Sequence, residues 1–248
     1  MNIIEASRHT GVSRDMIRFY EKKGIVLPVR NPHNGYRSYT EHDILMIVLA
    51  RQYSIMGVSL DSIAAMFSSN DINKAHMDLT NSIHQMELET QWIRARLFLA
   101  KDIQHLHQLM ANKQEFDTGK RSDVYFYSAM KNDIAALNTY LSSHNGASRA
   151  VFRVAKDNLY RKEFPIDYGL FLLNRIPDRQ FQYEKMTAHT YCRTVIAAHK
   201  KINGVMLKEI AERMALQGYI PSGYACIYQI MGSTDLSKDD LTCIEFEI

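Results

Sequence analysis

The chain has 248 residues, 46% of them hydrophobic and 23% charged, with 5 prolines; this is the profile of a packed protein and excludes a disordered one. Thirty basic against 27 acidic residues give a formal charge of +3, too small to name a nucleic-acid partner by itself, and no run nears the roughly 18 apolar residues that span a bilayer. The three cysteines, Cys192, Cys226 and Cys243, are too dispersed for a disulfide framework or a clustered metal site, and the N-terminus lacks the order of a secretory signal, so a cytoplasmic protein without cofactor or metal is expected.

Ile3, Ile4 and Ala6 have helical spacing and are followed by Thr10-Gly11-Val12. Ser13 then offers an N-cap oxygen to a second helix through Met16, Ile17 and Phe19. In such a helix, turn and helix the second element can enter a major groove. Its first turn makes Arg14 and Met16 the candidate base readers, with Ser13, Arg18, Phe19 and Tyr20 beside the backbone. Charge agrees: between Arg8 and Arg37 seven basic residues face only Asp15 and Glu21. Gly24 ends the helix, and Asn34-Gly35 marks a hairpin whose second arm, Tyr36-Arg37-Ser38-Tyr39, sets Arg37 and Tyr39 on one face against phosphate. Two further helices, from Thr40 and from Ser59, complete a second helix-turn-helix.

The ordered set SRDMIRFYEKKGIVLP, GYRSY and MGVSLDSI resembles the DNA-binding domain of MerR-type regulators over residues 1–72. Phe19 stands where many such proteins have a tyrosine, which removes one hydroxyl. The resemblance implies a winged helix-turn-helix, a homodimer on double-stranded promoter DNA and action with RNA polymerase.

Residues 74–112 contain neither proline nor glycine, and Leu79, Ile83, Met86, Ile93, Leu97 and Ala100 recur at three- and four-residue steps. One long helix is expected within a segment 73–113, with a second apolar line through Leu99, Ile103, Leu106 and Met110. Such a stripe needs a partner: either a second copy, as the antiparallel coiled coil that the resemblance implies, or the chain's own C-terminal domain. The far end of this helix carries no cysteine, and His105 and His107 diverge on a helix, so no metal is expected there.

From residue 119 to 248 the pattern strand, helix, strand, strand occurs twice. The first copy comprises 124–127, 130–143, 150–154 and 168–174; the second comprises 190–197, 202–217, 223–231 and 241–248. The fold class is therefore α+β, with an internally duplicated C-terminal domain. This layout is similar to the GyrI-like effector domains of drug-sensing MerR-type regulators. The similarity implies a groove for aromatic or cationic molecules and an acid at Glu245, with Ile134 replacing an aromatic of the family. Strand alternation puts Glu245 and Glu247 on one face, where two carboxylates can hold a cation, and Tyr127, Tyr168, Tyr191 and Tyr224 are the candidate aromatic walls. Half-buried structural tyrosines and solvated acids are the alternative. An enzyme using Glu245 as a general base beside Tyr191 or Cys226 finds no supporting nucleophile–base motif, so no catalytic residue is expected. A DNA-bound scaffold that recruits a protein partner stays open.

Overall fold

The computed structural model describes residues 1–30, 32, 35–69, 71–161, 163, 165–198, 202–232 and 239–248. They fall into two compact units, Met1–Leu88 and Glu89–Ile248.

The first unit begins with α1 (Ile3–Thr10), capped by Asn2 in a reciprocal capping box with Glu5. Gly11 follows at φ +65°, and α2 (Arg14–Lys22) starts from Ser13, whose side chain accepts from the Met16 N–H. Strands β1 (Val29–Arg30) and β2 (Arg37–Ser38) pair antiparallel as a short hairpin. The Asn34 of the expected turn lies outside the described residues. Helices α3 (Glu41–Ile55) and α4 (Leu60–Ser69) close over one core in which Ala6, Ile17, Tyr20, Tyr39, Ile47 and Ile63 are buried. Helix α5 (Ile72–Ala111) is unbroken and runs through the boundary between the units.

The second unit holds the C-terminal part of α5, from Glu89 to Ala111, and one antiparallel sheet of eight strands. Its elements in chain order are β3 (Asp117–Arg121), β4 (Val124–Ser128), α6 (Ile134–Ser143), β5 (Arg149–Val154), β6 (Asp167–Leu172), β7 (Glu184–Met186), β8 (His189–Ala198), α7 (Gly204–Leu216), β9 (Ala225–Met231) and β10 (Asp240–Glu247), besides a short 3-10 turn at Lys156–Asn158. The strand order β3-β8-β10-β9-β5-β6-β4-β7 has two halves that meet at β9 and β5 and repeat the same internal arrangement. Strands β3 and β7 precede the two repeats and had no counterpart in the sequence reading; β3 begins before residue 119.

These two strands set the shape of the sheet. In the sheet order β3 is first and β4 seventh, yet only residues 122 and 123 separate them in the chain. Six steps of about 4.8 Å would put them roughly 29 Å apart in a flat sheet. Three residues reach only about 10 Å. The connection between β7 and β8 imposes the same demand from the other half. The sheet must therefore curl until its ends approach, and it acquires an inner and an outer face.

The outer face carries Ile227, Ile244 and Phe246 under α7, and Tyr127, Leu170 and Leu172 under α6. The inner face carries Val124, Phe126, Phe171, Tyr228 and Cys243, and Leu106 and Leu109 of α5 pack into it. Self-packing thus accounts for part of the apolar surface of α5, while Ile83, Met86, Ile93 and Leu97 stay exposed.

Candidate nucleic-acid interface and inner-face charge cluster

The spacing of α2 decides which of its residues are available to a partner. Ile17 and Tyr20 lie three residues apart and are both buried, which turns Ser13, Arg14, Met16, Arg18 and Phe19 to the opposite, exposed side. Met16 and Phe19 are each about 40% exposed, unusual for such side chains, and Lys23 lies 5.7 Å from the Phe19 ring centre. Arg18 Nη1 reaches Asp15 at 3.3 Å, a solvated contact that a phosphate can displace.

Two expected contacts are corrected. Tyr20 is a core residue at 2% exposure, and burial, partly offset by Arg51, raises its pKa; it belongs to the buried cluster and not to the exposed face of α2. Tyr39, also 2% exposed, donates its hydroxyl to Glu21, which accepts at the same time from Arg37 Nε at 2.7 Å. Arg37 and Tyr39 do share a face, but a carboxylate of α2 holds them. Burial first, then the hydrogen bond to Glu21, pushes the Tyr39 phenol well above its ordinary value. Glu21, which holds both side chains, was not legible in the sequence, since an acid among bases reads as a solvated charge. Tyr36 at 75% exposure and the half-buried Arg37 remain at the hairpin surface.

The six candidate ligand residues do not gather at one place. Tyr127 and Tyr168 belong to the outer face. Tyr127 is fully buried and its oxygen accepts from the Ile176 N–H at 2.9 Å, while Tyr168 lies 5.2 Å from the Phe152 ring. Tyr191, Tyr224, Glu245 and Glu247 belong to the inner face, as alternation along β8 and β10 requires. The Glu247 carboxylate accepts from the Tyr224 N–H at 3.4 Å.

On that inner face Glu245 is 3% exposed and its charge is already answered. Arg121 binds it with both arms of its guanidinium, Nε to Oε1 at 2.6 Å and Nη2 to Oε2, and the Tyr228 hydroxyl donates at 3.1 Å. Burial alone would lower the Arg121 pKa; the carboxylate outweighs it and the net shift is upward. Tyr191 stacks beside both Arg121 and Arg193, at 5.3 and 4.8 Å. Gly119 is required there, because a Cβ would stand 2.5 Å from the Tyr191 hydroxyl.

A second cluster joins α5 to the sheet. Asp102 accepts from Arg149 Nη1 and from Arg193 Nη1, each at 2.6 Å, and Arg193 Nε donates to Asp117 at 2.9 Å. Burial would raise the Asp102 pKa, but the two guanidinium groups hold it below the usual carboxylate range. Arg153 carries a third cluster: its Nη2 donates to Asp167 at 3.1 Å and to Glu184 at 2.8 Å. Cys226 and Cys243 are buried nearby, and no group of three or more His, Cys, Asp or Glu side chains fit to hold a metal ion is found among the described residues.

A capped helix pair with an exposed first turn that carries Arg14, together with a two-stranded hairpin, defines the first unit as a winged helix-turn-helix of the DNA-binding class. Residues 1–70 match the family described as MerR HTH family regulatory protein. The chain is 31% identical over 105 residues, 39% of its length and 76% of the relative's, to the HTH-type transcriptional regulator CueR of Salmonella typhi. It is 32% identical over 109 residues, 43% and 74% of the two lengths, to heavy metal-dependent transcription regulator 2 of Rhizobium meliloti. Among solved structures it is similar to the EcmrR–DNA complex in EcmrR-RPo, at 15% identity and a TM-score of 0.38, covering 100% of this chain and 98% of that one. The chain belongs to the MerR family of DNA-binding transcription regulators.

Proposed function

We propose that the protein is a ligand-responsive regulator: a homodimer that sits on promoter DNA, works with RNA polymerase in the cytoplasm, and distorts the DNA when a small aromatic or cationic molecule occupies the second unit. The observation that carries the DNA half is the exposed face of α2, where Arg14 and Met16 follow the Ser13 cap with Arg18 and Phe19 alongside. Arg14 and Met16 read base edges; Arg18, Tyr36 and Arg37 take phosphate and sugar.

The exposed line of Ile83, Met86, Ile93 and Leu97 supports the homodimer, since steps of three, seven and four residues keep one seam along a helix. A twofold pair then matches two half-sites. The Asp102 pins support the coupling, because they tie the helix that carries this seam to β5 and β8 of the sheet. DNA deformation costs a few kcal/mol, so a coupling of about 1–3 kcal/mol between ligand and helix position decides the promoter's shape. The resemblance of the second unit to GyrI-like effector domains belongs to this proposal, as does a cation at Glu245, which has to displace Arg121 to arrive. The opening beside Tyr224 favours a sensor over a scaffold with a sealed interior.

Promoter DNA bound by the full-length protein, with fluorophores on the two DNA arms, tests this reading. Lipophilic cations and neutral aromatics should change the energy transfer without releasing the DNA, and Leu97→Glu should give a monomer that no longer binds. Unchanged DNA geometry across the panel would refute the coupling, and undiminished binding by the monomeric variant would refute the dimer.

A further inference from the structure

The inner face opens at one end into a cavity of about 220 Å³, bounded by Met130 after β4, by Ala155, Asn158, Pro165 and Ile166 between β5 and β6, and by Tyr224 before β9. Met130, Pro165, Ile166 and the Tyr224 ring give it apolar walls, and Arg153 and Asp167 give it a polar end. Neither the paired Glu245 nor Arg121 borders it.

Arg153 is 6% exposed, and only one of its three nitrogens is engaged. The Phe126 and Tyr224 rings flank the guanidinium at 4.0 and 4.3 Å, which favours its charge but accepts no N–H bond in the plane. Nε and Nη1 have no acceptor among the described residues and are closed to solvent, so an oxygen in the cavity reaches them when the Tyr224 ring that flanks the guanidinium turns aside. Buried donors of this kind are costly, and a molecule that brings an oxygen to them recovers that cost. Charge limits which oxygen it is. Asp167 and Glu184 already set two carboxylates against one guanidinium, so a third anion meets repulsion, and an ammonium group meets Arg153 itself.

We propose that this cavity binds a small uncharged carbonyl compound, an amide or lactam with an apolar or aromatic body, its oxygen accepting from Arg153 and its body resting on Met130, Pro165, Ile166 and Tyr224. The inference rests on the reading of the second unit as the ligand-binding part. It moves the ligand contact from the acid at Glu245 to the base at Arg153.

A matched trio of probes on the full-length protein tests it by calorimetry: 2-naphthamide, 2-naphthoate and 2-naphthylmethylammonium. The amide should bind saturably, and each charged analogue at least tenfold more weakly. Arg153→Met should weaken the amide at least tenfold. Met130→Trp, at a position 83% exposed, narrows the cavity without touching the core and should do the same, so the test holds even where the arginine variant does not fold. No saturable binding, a charged analogue matching the amide, or amide binding that survives Met130→Trp would overturn the proposal. Promoter binding measured on the same samples separates the two readings. Intact DNA binding without amide binding removes this site alone, and amide bound without a change in DNA geometry removes the coupling and leaves the site.

Discussion

Replacing Arg121 by methionine tests the inner face most directly. The variant leaves the Glu245 carboxylate at 3% exposure with the Tyr228 hydroxyl as its one remaining bond of the three described. Removing one partner of a buried pair costs about 3–5 kcal/mol, mainly because the surviving charge is stranded. Glu245→Met strands Arg121 by the same reasoning. The double variant strands neither charge and loses only the acceptor for Tyr228, about 1–3 kcal/mol. A double-mutant cycle should therefore return a coupling of roughly 3 kcal/mol or more.

Urea unfolding of the full-length protein, followed by the single tryptophan, Trp92, reports on the correct unit, since Trp92 is buried there against Leu137 and Phe181. Two single variants that each cost under about 1 kcal/mol and add without coupling would refute the buried-pair argument. The same variant carries a binding prediction. If Arg121 is the internal cation that satisfies Glu245, its removal should raise affinity for a lipophilic cation at least tenfold over wild type, in a fluorescence titration below the unfolding transition. Affinity equal to wild type would mean that Glu245 does not select ligands by charge.

Asp102→Asn should destabilise the second unit by about 3–5 kcal/mol, because one carboxylate serves two buried guanidinium groups. Its folded pKa lies below the unfolded value of about 3.9, so its contribution is complete above that value and lost as pH falls through the folded one; urea midpoints of wild type and variant should converge in acid and separate at neutral pH. Arg14→Ala should weaken operator binding about tenfold with unfolding unchanged, whereas Tyr20→Phe should leave binding within about twofold and Tyr20→Ala should cost about 3–5 kcal/mol; gel-shift titration and urea melts on the same preparations separate contact from core. Burial pushes the Cys192 thiol up to about 11 and Cys243 up to about 12, and raises Cys226 further, so all three should react with a disulfide reagent at neutral pH only as fast as the protein opens.

Much of the first unit was legible because its signals are local. Caps at Ser13 and Thr40, the positive-φ glycines at 11 and 24, and the 3.6-residue period act over a few residues. The errors at Tyr20 and Tyr39 came from reading aromatic hydroxyls as contacts. The period already paired Tyr20 with Ile17 on the inward side of α2, and Glu21 could be recognised as their neighbour's anchor only once the hairpin was folded back on that helix. In the second unit the repeat of strand, helix, strand and strand was readable for the same local reasons.

What was not readable there follows from two strands without a pattern. Strand β3 reads Asp-Thr-Gly-Lys-Arg and β7 only Glu-Lys-Met, and neither alternates polar with apolar side chains convincingly. Yet each sits two residues ahead of a readable strand and pairs at the opposite end of the sheet, and that crossing makes the sheet curl. The pairing of these two strands brings Arg121 to Glu245 across 124 residues of sequence and Glu184 to Arg153, so the charges that sequence treats as free for a ligand are partners of one another. The acid at Glu245 looked like a cation receptor because its strand was legible and its counterion's strand was not. Once both are present, the unmet hydrogen-bonding capacity of the inner face, among the described residues, belongs to arginine donors, at Arg153 Nε and Nη1 and at Arg149 Nη2. A face with surplus donors and paired charges selects acceptors, and the chemistry of its ligand should follow the donors.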